Sequence, residues 1–187
     1  PQLPMNTFFV FNGDADGVCA LHQLRLENPE TVTLITGVKR DIKLLDRVAA
    51  TAGDHVTVLD ISLDSNRKGL TRLLQDGAII KYFDHHHAGE IPQHDNLTTH
   101  IDVSADVCTS LLVDQYLQGK YHAWAITAAF GDNLTHKAQQ LAHSAGLSAA
   151  DSQRLGHLGE YLNYNGYGDN LEDLHFHPAE LYKEIKP

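Results

Sequence analysis

The sequence predicts an α/β protein in which a parallel sheet is flanked by helices and followed by a helical C-terminal part. In the first half of the 187-residue chain, short runs of β-favouring apolar residues alternate with segments of helical periodicity. Strands separated by helices form βαβ units, and their strands pair in parallel. Strands that are apolar throughout fit a sheet covered by helices on both faces.

Five strands are predicted, and the first four are continuous apolar runs. The fifth alternates polar and apolar residues, which is typical of an edge strand. The predicted strands cover residues 7–11, 32–36, 56–59, 78–83 and 97–101. Helices are predicted at residues 18–26, from about residue 40, and at 66–75, 107–117, 121–130, 134–145 and 151–162. The apolar composition of 121–130 predicts a largely buried helix, and the turn formers of 163–170 predict the end of the compact unit.

The composition limits the partners that this chain is expected to have. It carries 14 basic and 24 acidic residues and no run of Lys or Arg, which argues against a long duplex nucleic acid. No apolar stretch reaches membrane-spanning length. Cys19 and Cys108 lie in apolar segments without CxxC spacing, which is typical of reduced thiols. We therefore expect a one-domain cytoplasmic protein with no membrane partner.

Residues that can bind metal follow three of the predicted strands. Strand one runs into residues 12–17 (NGDADG), strand three stops at Asp60, and strand four stops at residues 84–87 (DHHH). In an open parallel sheet, ligands bind outside the carboxyl ends of the strands. Asp and His are also seldom buried without a partner. Three coincidences of this kind favour a metal site over a histidine-rich polar turn.

The ligand types indicate both the metal and the chemistry. Asp and His without paired Cys suit Mn, Mg, Zn or Fe(II) rather than a structural zinc site. The ligands outnumber those that one ion with open water positions needs, so two ions are expected. Two ions roughly 3.5–4 Å apart can generate a hydroxide near neutral pH and neutralise a phosphoryl group. The pattern therefore predicts phosphoester hydrolysis.

These residues resemble the motifs of the DHH phosphoesterases. Four motifs stand in the family's order: residues 14–17 (DADG), Asp60, residues 84–86 (DHH) and residues 131–133 (GDN), which follow the apolar helix. The resemblance covers nearly the whole chain. It implies a five-stranded parallel sheet and a site for two divalent ions, with manganese the first choice and magnesium the second.

The resemblance also implies a role for each motif residue. The metal ligands would be Asp14, Asp16, Asp60, His85 and Asp132. Asp60 would bridge the two ions, and Asp60, His85 and His86 would serve catalysis. His86 would face a substrate phosphate, and Asp84 would orient a ligand imidazole from behind.

The chain departs from the family pattern in three places. Many members carry a His where this chain has Val10, and the subgroup that resembles RecJ exonucleases carries an Asp where this chain has Asn12. Asn12 would then be an uncharged, weaker metal ligand. Members usually continue into a C-terminal substrate-binding domain. We therefore expect residues 1–165 to form the DHH domain and 166–187 to be a linker or the start of that further domain, which would be a partner within the same protein.

Three further residues are candidates for holding a substrate phosphate. Lys39 and Arg40 follow strand two, where they either contact phosphate or begin a solvated helix. Thr109, with Ser110 beside it, begins a helix, and its hydroxyl either caps that helix or takes a phosphate oxygen.

The resulting hypothesis is a metal-dependent phosphoesterase that acts on short oligonucleotides, linear or cyclic dinucleotides, or a nucleotide phosphate. Inorganic pyrophosphate or polyphosphate is the alternative substrate. A protein of a different class, a metal-binding regulatory module with little hydrolysis, is the alternative that Asn12 suggests.

Overall fold

A five-stranded parallel sheet forms the frame of the protein in the computed structural model, which describes residues 5–166. The strands are β1 (Thr7–Phe11), β2 (Thr33–Thr36), β3 (His55–Leu59), β4 (Ile79–Asp84) and β5 (Leu97–Ile101). Their order is β2-β1-β3-β4-β5, and every neighbouring pair is parallel. The predicted α/β class is therefore confirmed, and the fifth strand lies at an edge as its alternating pattern predicted. The linker predicted at 166–187 lies outside the described residues, apart from Gly166.

Six α-helices accompany the sheet in the described part of the chain. They are α1 (Ala15–Glu27), α2 (Arg67–Gln75), α3 (Thr109–Tyr116), α4 (His122–Gly131), α5 (Thr135–Ser144) and α6 (Ala149–Asn165). Helix α6 includes residues 163–165, so the predicted turn there is wrong: these residues complete a helix that buries Asn165. No helix within residues 5–166 is long and apolar enough to cross a membrane.

The helix predicted from about residue 40 is also wrong, because only a 3-10 turn (Leu44–Arg47) forms there. Side chains from the next helical segment occupy the backbone groups of this region. Asn66 accepts a hydrogen bond from the N–H of Leu45, and Arg72 donates to the carbonyls of Leu45 and Val48. Since these bonds replace those of a regular α-helix, the backbone N–H and carbonyl groups of this segment are satisfied without an α-helix.

The sheet is covered on both faces, which explains the continuous apolar strands. Alternate residues of β1 point to opposite faces: Phe8 and Val10 pack in the core that contains α2, whereas Phe9 and Phe11 pack in the core that contains α1 and α3. A third apolar cluster joins α4, α5 and α6 to α1. The apolar middle of α4 is buried in this cluster, as its composition predicted.

The strand order also determines where a site can form. The chain moves from β1 outward to β2 and then returns to the other side of β1 as β3. In doubly wound sheets of this order, the helices diverge at the switch between β1 and β3 and leave a crevice outside the carboxyl ends of the strands.

Helices α4 and α6 approach each other closely beside this crevice. A β-carbon on Gly159 would lie 2.4 Å from the carbonyl oxygen of Thr127 and 2.9 Å from the nitrogen of Gly131. These contacts are too short for any side chain. Gly159 therefore lets the end of α4, and with it the start of the loop at Asp132, lie directly against α6.

We predict opposite effects for two glycines of α6. Gly159→Ala should lower the free energy of unfolding by roughly 1–3 kcal/mol through overpacking. Gly156→Ala should leave it unchanged or raise it by up to about 1 kcal/mol, because the nearest neighbour of a β-carbon there would be the Phe130 ring at 3.5 Å, an ordinary contact, and alanine is the better helix former. Urea unfolding followed by circular dichroism measures both. Equal stability of the two variants would contradict the close approach of α4 and α6.

Candidate metal centre

Acidic side chains that follow two adjacent strands, β1 and β3, converge at the switch point. Asp14 follows β1 and caps α1 by accepting the N–H of Gly17 at 3.1 Å. Asp16 lies in the first turn of the same helix. Asp60 directly follows β3, and its φ of 65° is in the left-handed region, which few residues other than glycine adopt. Strained backbone of this kind clusters at functional sites, where the surrounding structure holds it in place.

His85 lies at the centre of these carboxylates. Its Nε2 atom is 3.1 Å from Oδ1 of Asp60, 3.5 Å from Oδ2 of Asp16 and 3.9 Å from Oδ2 of Asp132. Two groups of three residues could each hold a metal ion, because the ligand atoms within each group all lie within 4.8 Å of one another. One group is Asp60, His85 and His86, and the other is Asp16, His85 and Asp132. The structure therefore offers two overlapping sets of oxygen and imidazole donors, the types that divalent Mn, Zn or Fe prefer.

The carboxylates are packed so closely that each disfavours the charge of the next. Burial, and then the charge of Asp16, raise the pKa of Asp14 and raise that of Asp60 well above the usual value. The same two causes raise the pKa of Asp132 to about 7. Lys39 lies nearby, with Nζ 3.7 Å from Oδ2 of Asp14. Its single positive charge does not balance the charge of several carboxylates. A divalent cation would offset the remaining negative charge, so the residues present fit such an ion.

A second acid and histidine pair lies beside the cluster. Asp84 is fully buried at the end of β4, and its Oδ1 is 2.6 Å from Nδ1 of His86. This hydrogen bond raises the pKa of His86, although burial of the ring acts in the opposite direction. Asp84 thus holds His86 by one ring nitrogen and leaves the other available at the cleft.

The cluster opens into a cleft of about 270 Å³ whose lining includes Asp14, Lys39, Asp60, His86 and Asp132. A larger groove of about 670 Å³ runs between α5 and α6. That groove is lined mainly by neutral polar and apolar side chains. We assign the site to the smaller cleft because the ligand chemistry lies there.

All five predicted metal ligands are brought together by the fold. Asp84 was expected to orient a ligand imidazole, but its partner in the structure is His86, the imidazole that was expected to face a substrate phosphate. Of the predicted phosphate contacts, Lys39 and His86 line the cleft, whereas Arg40 is exposed and is not part of its lining.

Asn12, the predicted weak ligand, makes two backbone contacts that the sequence did not predict. Its Oδ1 accepts the backbone N–H of Asp14 at 3.1 Å, and its Nδ2 donates to the carbonyl of Lys39 at 3.0 Å. Both ends of the amide are therefore used on the backbone, and Asn12 shapes the turn after β1. The geometry favours this turn over direct metal ligation, although Asn12 does border the cleft.

Thr109 also differs from its predicted role. It is fully buried, and its hydroxyl donates to Oδ1 of Asp60 at 3.1 Å, so the structure places it behind the carboxylates rather than against a substrate. The backbone N–H groups of Thr109 and Ser110 both donate to Asp16. The sequence contained a signal for this contact, since the first N–H groups of a helix need acceptors and Cys108 offers no capping oxygen.

We predict that the free energy of unfolding of the metal-free protein falls as the pH rises from about 4 to about 7, because Asp132 of the carboxylate cluster loses its proton over this range. The folded state raises the pKa of Asp132 from 3.8 to about 7, so it binds a proton that the unfolded chain has already released. That stabilisation is present at low pH and is lost as the pH passes the folded-state value.

Thermal melts in a chelator at pH values between about 4.5 and about 7.5 test this prediction. The Asp132→Asn variant should lose less stability over this range than the wild type, because it has no carboxylate to ionise. Asp76→Asn, a change at an exposed residue outside the cluster, is the control. Parallel curves for the wild type and Asp132→Asn would show that Asp132 does not titrate in this way.

Comparison with known proteins supports the fold independently of the motifs. No protein-family model matches the sequence, and neither does any curated protein. Among solved structures, the chain matches the DHH domain of a member of the S1P family of ribosomal proteins with a TM-score of 0.61 and 14% identity, over 96% of this chain and 56% of the other. It also matches the exonuclease RecJ bound to manganese with a TM-score of 0.52 and 16% identity, over 87% of this chain and 49% of the other.

The chain thus spans about half the length of the structures that it matches. At this level of identity the likeness concerns the fold. The chain has the fold of the DHH domain, as the four sequence motifs predicted.

Proposed function

We propose that this protein is a metal-dependent phosphoesterase that hydrolyses phosphodiester or phosphomonoester bonds in short oligonucleotides or in linear or cyclic dinucleotides. One observation carries the proposal: three carboxylates surround His85 at the switch point of the sheet, and the cleft beside them is also lined by Asp14, Lys39 and His86. Negative ligands for cations and positive groups for a phosphate thus meet in one small space.

The ligands would hold two divalent cations, with manganese the first choice and magnesium the second. Asp14, Asp16, Asp60, His85 and Asp132 are the residues that would bind them. In this proposal Asp60 would serve both, because its Oδ1 lies 3.1 Å from Nε2 of His85, the residue that the two sets of candidate ligands share. When bound, such a pair lowers the pKa of water and neutralises charge on a phosphoryl group. The RecJ structure of similar fold contains manganese, which supports this choice.

The chain itself supplies the groups that would orient the substrate. Lys39 and His86 lie on the cleft, where the ammonium and the imidazole can each donate to a phosphoryl oxygen. The bond from Asp84 fixes the His86 ring and favours its protonated form, which is a donor at both nitrogens. Both residues would therefore bind the phosphate and hold it in line for attack.

The size and charge of the site favour small substrates. The cleft measures about 270 Å³, and the chain has a net charge of -10, which repels a long polyanion. In the described part of the chain, no Phe, Tyr or Trp lines the cleft, so the large aromatic rings on which bases usually stack are absent from its lining. We therefore expect little preference among bases. Inorganic pyrophosphate has no base to bind, so the lack of Phe, Tyr and Trp in the lining of the cleft also makes it the second candidate substrate.

We expect Asp60→Asn to abolish most manganese binding and hydrolysis. A ligand that serves two cations leaves both less compensated when its charge is removed, so the effect should exceed about 100-fold. Manganese binding is measured by calorimetry, and hydrolysis is measured with a chromogenic phosphodiester and with a dinucleotide. Asp76→Asn is the matched control outside the cleft. Equal behaviour of the two variants would refute the metal site, and manganese binding without any hydrolysis would indicate the regulatory module instead.

Lys39 and Arg40 are neighbours in sequence, and the structure separates their expected roles. Lys39→Gln should raise the KM for a dinucleotide by about 10-fold, because a charge-assisted contact of roughly 1.5–3 kcal/mol is lost. Arg40→Gln should leave KM close to that of the wild type, because Arg40 does not line the cleft. Steady-state kinetics at saturating manganese measure both. A larger effect for Arg40 would place the phosphate outside this cleft.

A further inference from the structure

Thr109 contacts two carboxylates of the candidate metal centre at once. It is the first residue of α3 and is fully buried. Its hydroxyl donates to Oδ1 of Asp60 at 3.1 Å, and its backbone N–H donates to Oδ2 of Asp16 at 2.9 Å. These carboxylates come from different parts of the sheet, one after β1 and one after β3. Thr109 therefore ties together two ligands that no local sequence connects.

Helix α3 fixes Asp16 by more than one bond. The N–H of Ser110 donates to Oδ1 of Asp16 at 2.7 Å, and the hydroxyl of Ser110 donates to the backbone carbonyl of Asp16 at 2.7 Å. Both oxygens of this carboxylate thus accept a backbone N–H of α3. Asp16 caps a helix that lies 93 residues further along the chain, and the positive end of the helix favours its charge.

The position of Asp60 depends on the Thr109 side chain. The backbone of Asp60 is in the left-handed region, with a φ of 65°. Its Oδ1 atom lies 3.1 Å from the Thr109 hydroxyl and 3.1 Å from Nε2 of His85. A carboxylate oxygen has two lone-pair directions. Because the hydroxyl occupies one of them, it determines the plane of the carboxylate and the direction that remains for a cation.

We propose that Thr109 is a positioning residue of the metal centre, which holds the Asp16 and Asp60 carboxylates at the separation and orientation that two cations require. This inference rests on the proposed function to the extent that those two carboxylates bind the cations. In this proposal Thr109 acts through the two carboxylates, because its side chain is fully buried and its hydroxyl donates to Asp60.

The experiment compares three variants by calorimetric titration with manganese. Thr109→Val removes the hydroxyl and keeps the shape of the side chain, and it should weaken manganese binding by about 10- to 100-fold. Thr109→Ser keeps the hydroxyl and should bind close to the wild type. Thr127→Val is the matched control, because Thr127 is also fully buried and its hydroxyl donates to Ala123 within its own helix. It should bind manganese as the wild type does.

Hydrolysis of the chromogenic phosphodiester provides a second measurement. The Thr109→Val variant should lose activity at low manganese and recover most of it at high manganese, which damage to the fold alone would not produce. If the valine variant does not fold, Thr109→Ala makes the same deletion with a smaller side chain.

Wild-type affinity in Thr109→Val would overturn the inference and leave the proposed function standing. Equal weakening in Thr109→Val and Thr127→Val would also overturn it, as would equal weakening in the serine and valine variants. A wild-type protein that binds no manganese would refute the proposed function, and this inference with it.

Discussion

The repulsion among buried carboxylates at the end of the sheet is the constraint on which the arrangement of this protein depends. Asp14, Asp16 and Asp60 are all nearly inaccessible to solvent, and burial together with their mutual repulsion raises the pKa of Asp14 and Asp60. No packing requirement of an apolar core would bring such groups together, because each costs free energy when it is buried beside the others. The fold accepts this cost at one place, where three strand ends meet.

The parts of the structure that hold these carboxylates are mostly backbone amides and rigid contacts. Asp14 accepts the N–H of Gly17 in the first turn of α1, the amides of α3 hold Asp16, and the left-handed backbone after β3 directs Asp60. Amides are neutral, so they stabilise carboxylates without the full positive charge that would compete with a cation. The centre is therefore organised in advance and offers several carboxylate oxygens without a fixed cation among them, which suits a site for divalent ions.

The close approach of the helices serves the same purpose. A β-carbon on Gly131 would lie 2.5 Å from that of Ala15, and a β-carbon on Gly17 would lie 2.0 Å from the carbonyl oxygen of Asn12. These glycines let α1 lie directly on the end of β1 and let α4 lie directly on α1. As a result Asp132, at the end of α4, reaches the cluster that begins at Asp14. The glycines beside the acidic motifs thus allow the close packing that brings the carboxylates together, and the carboxylates supply the negative charge.

The sequence by itself determined the fold class, the five strands, the edge position of β5 and the strand ends that carry the acids. These features follow from local patterns: hydrophobic periodicity identifies strands and helices, and the rule that parallel strands end at one edge gathers the residues that follow them. Only the tertiary structure decided the contacts of Asn12 and Thr109, because each depends on partners distant in sequence, and only it placed Arg40 outside the lining of the cleft. The amide of Asn12 donates to the carbonyl of Lys39 in the loop after β2, and the hydroxyl of Thr109 donates to the carboxylate of Asp60, 49 residues away. The 3-10 turn at Leu44–Arg47 has the same cause, since side chains of a later helical segment satisfy its backbone. A hydrogen-bond partner is a property of distance in space, and local sequence patterns do not contain it.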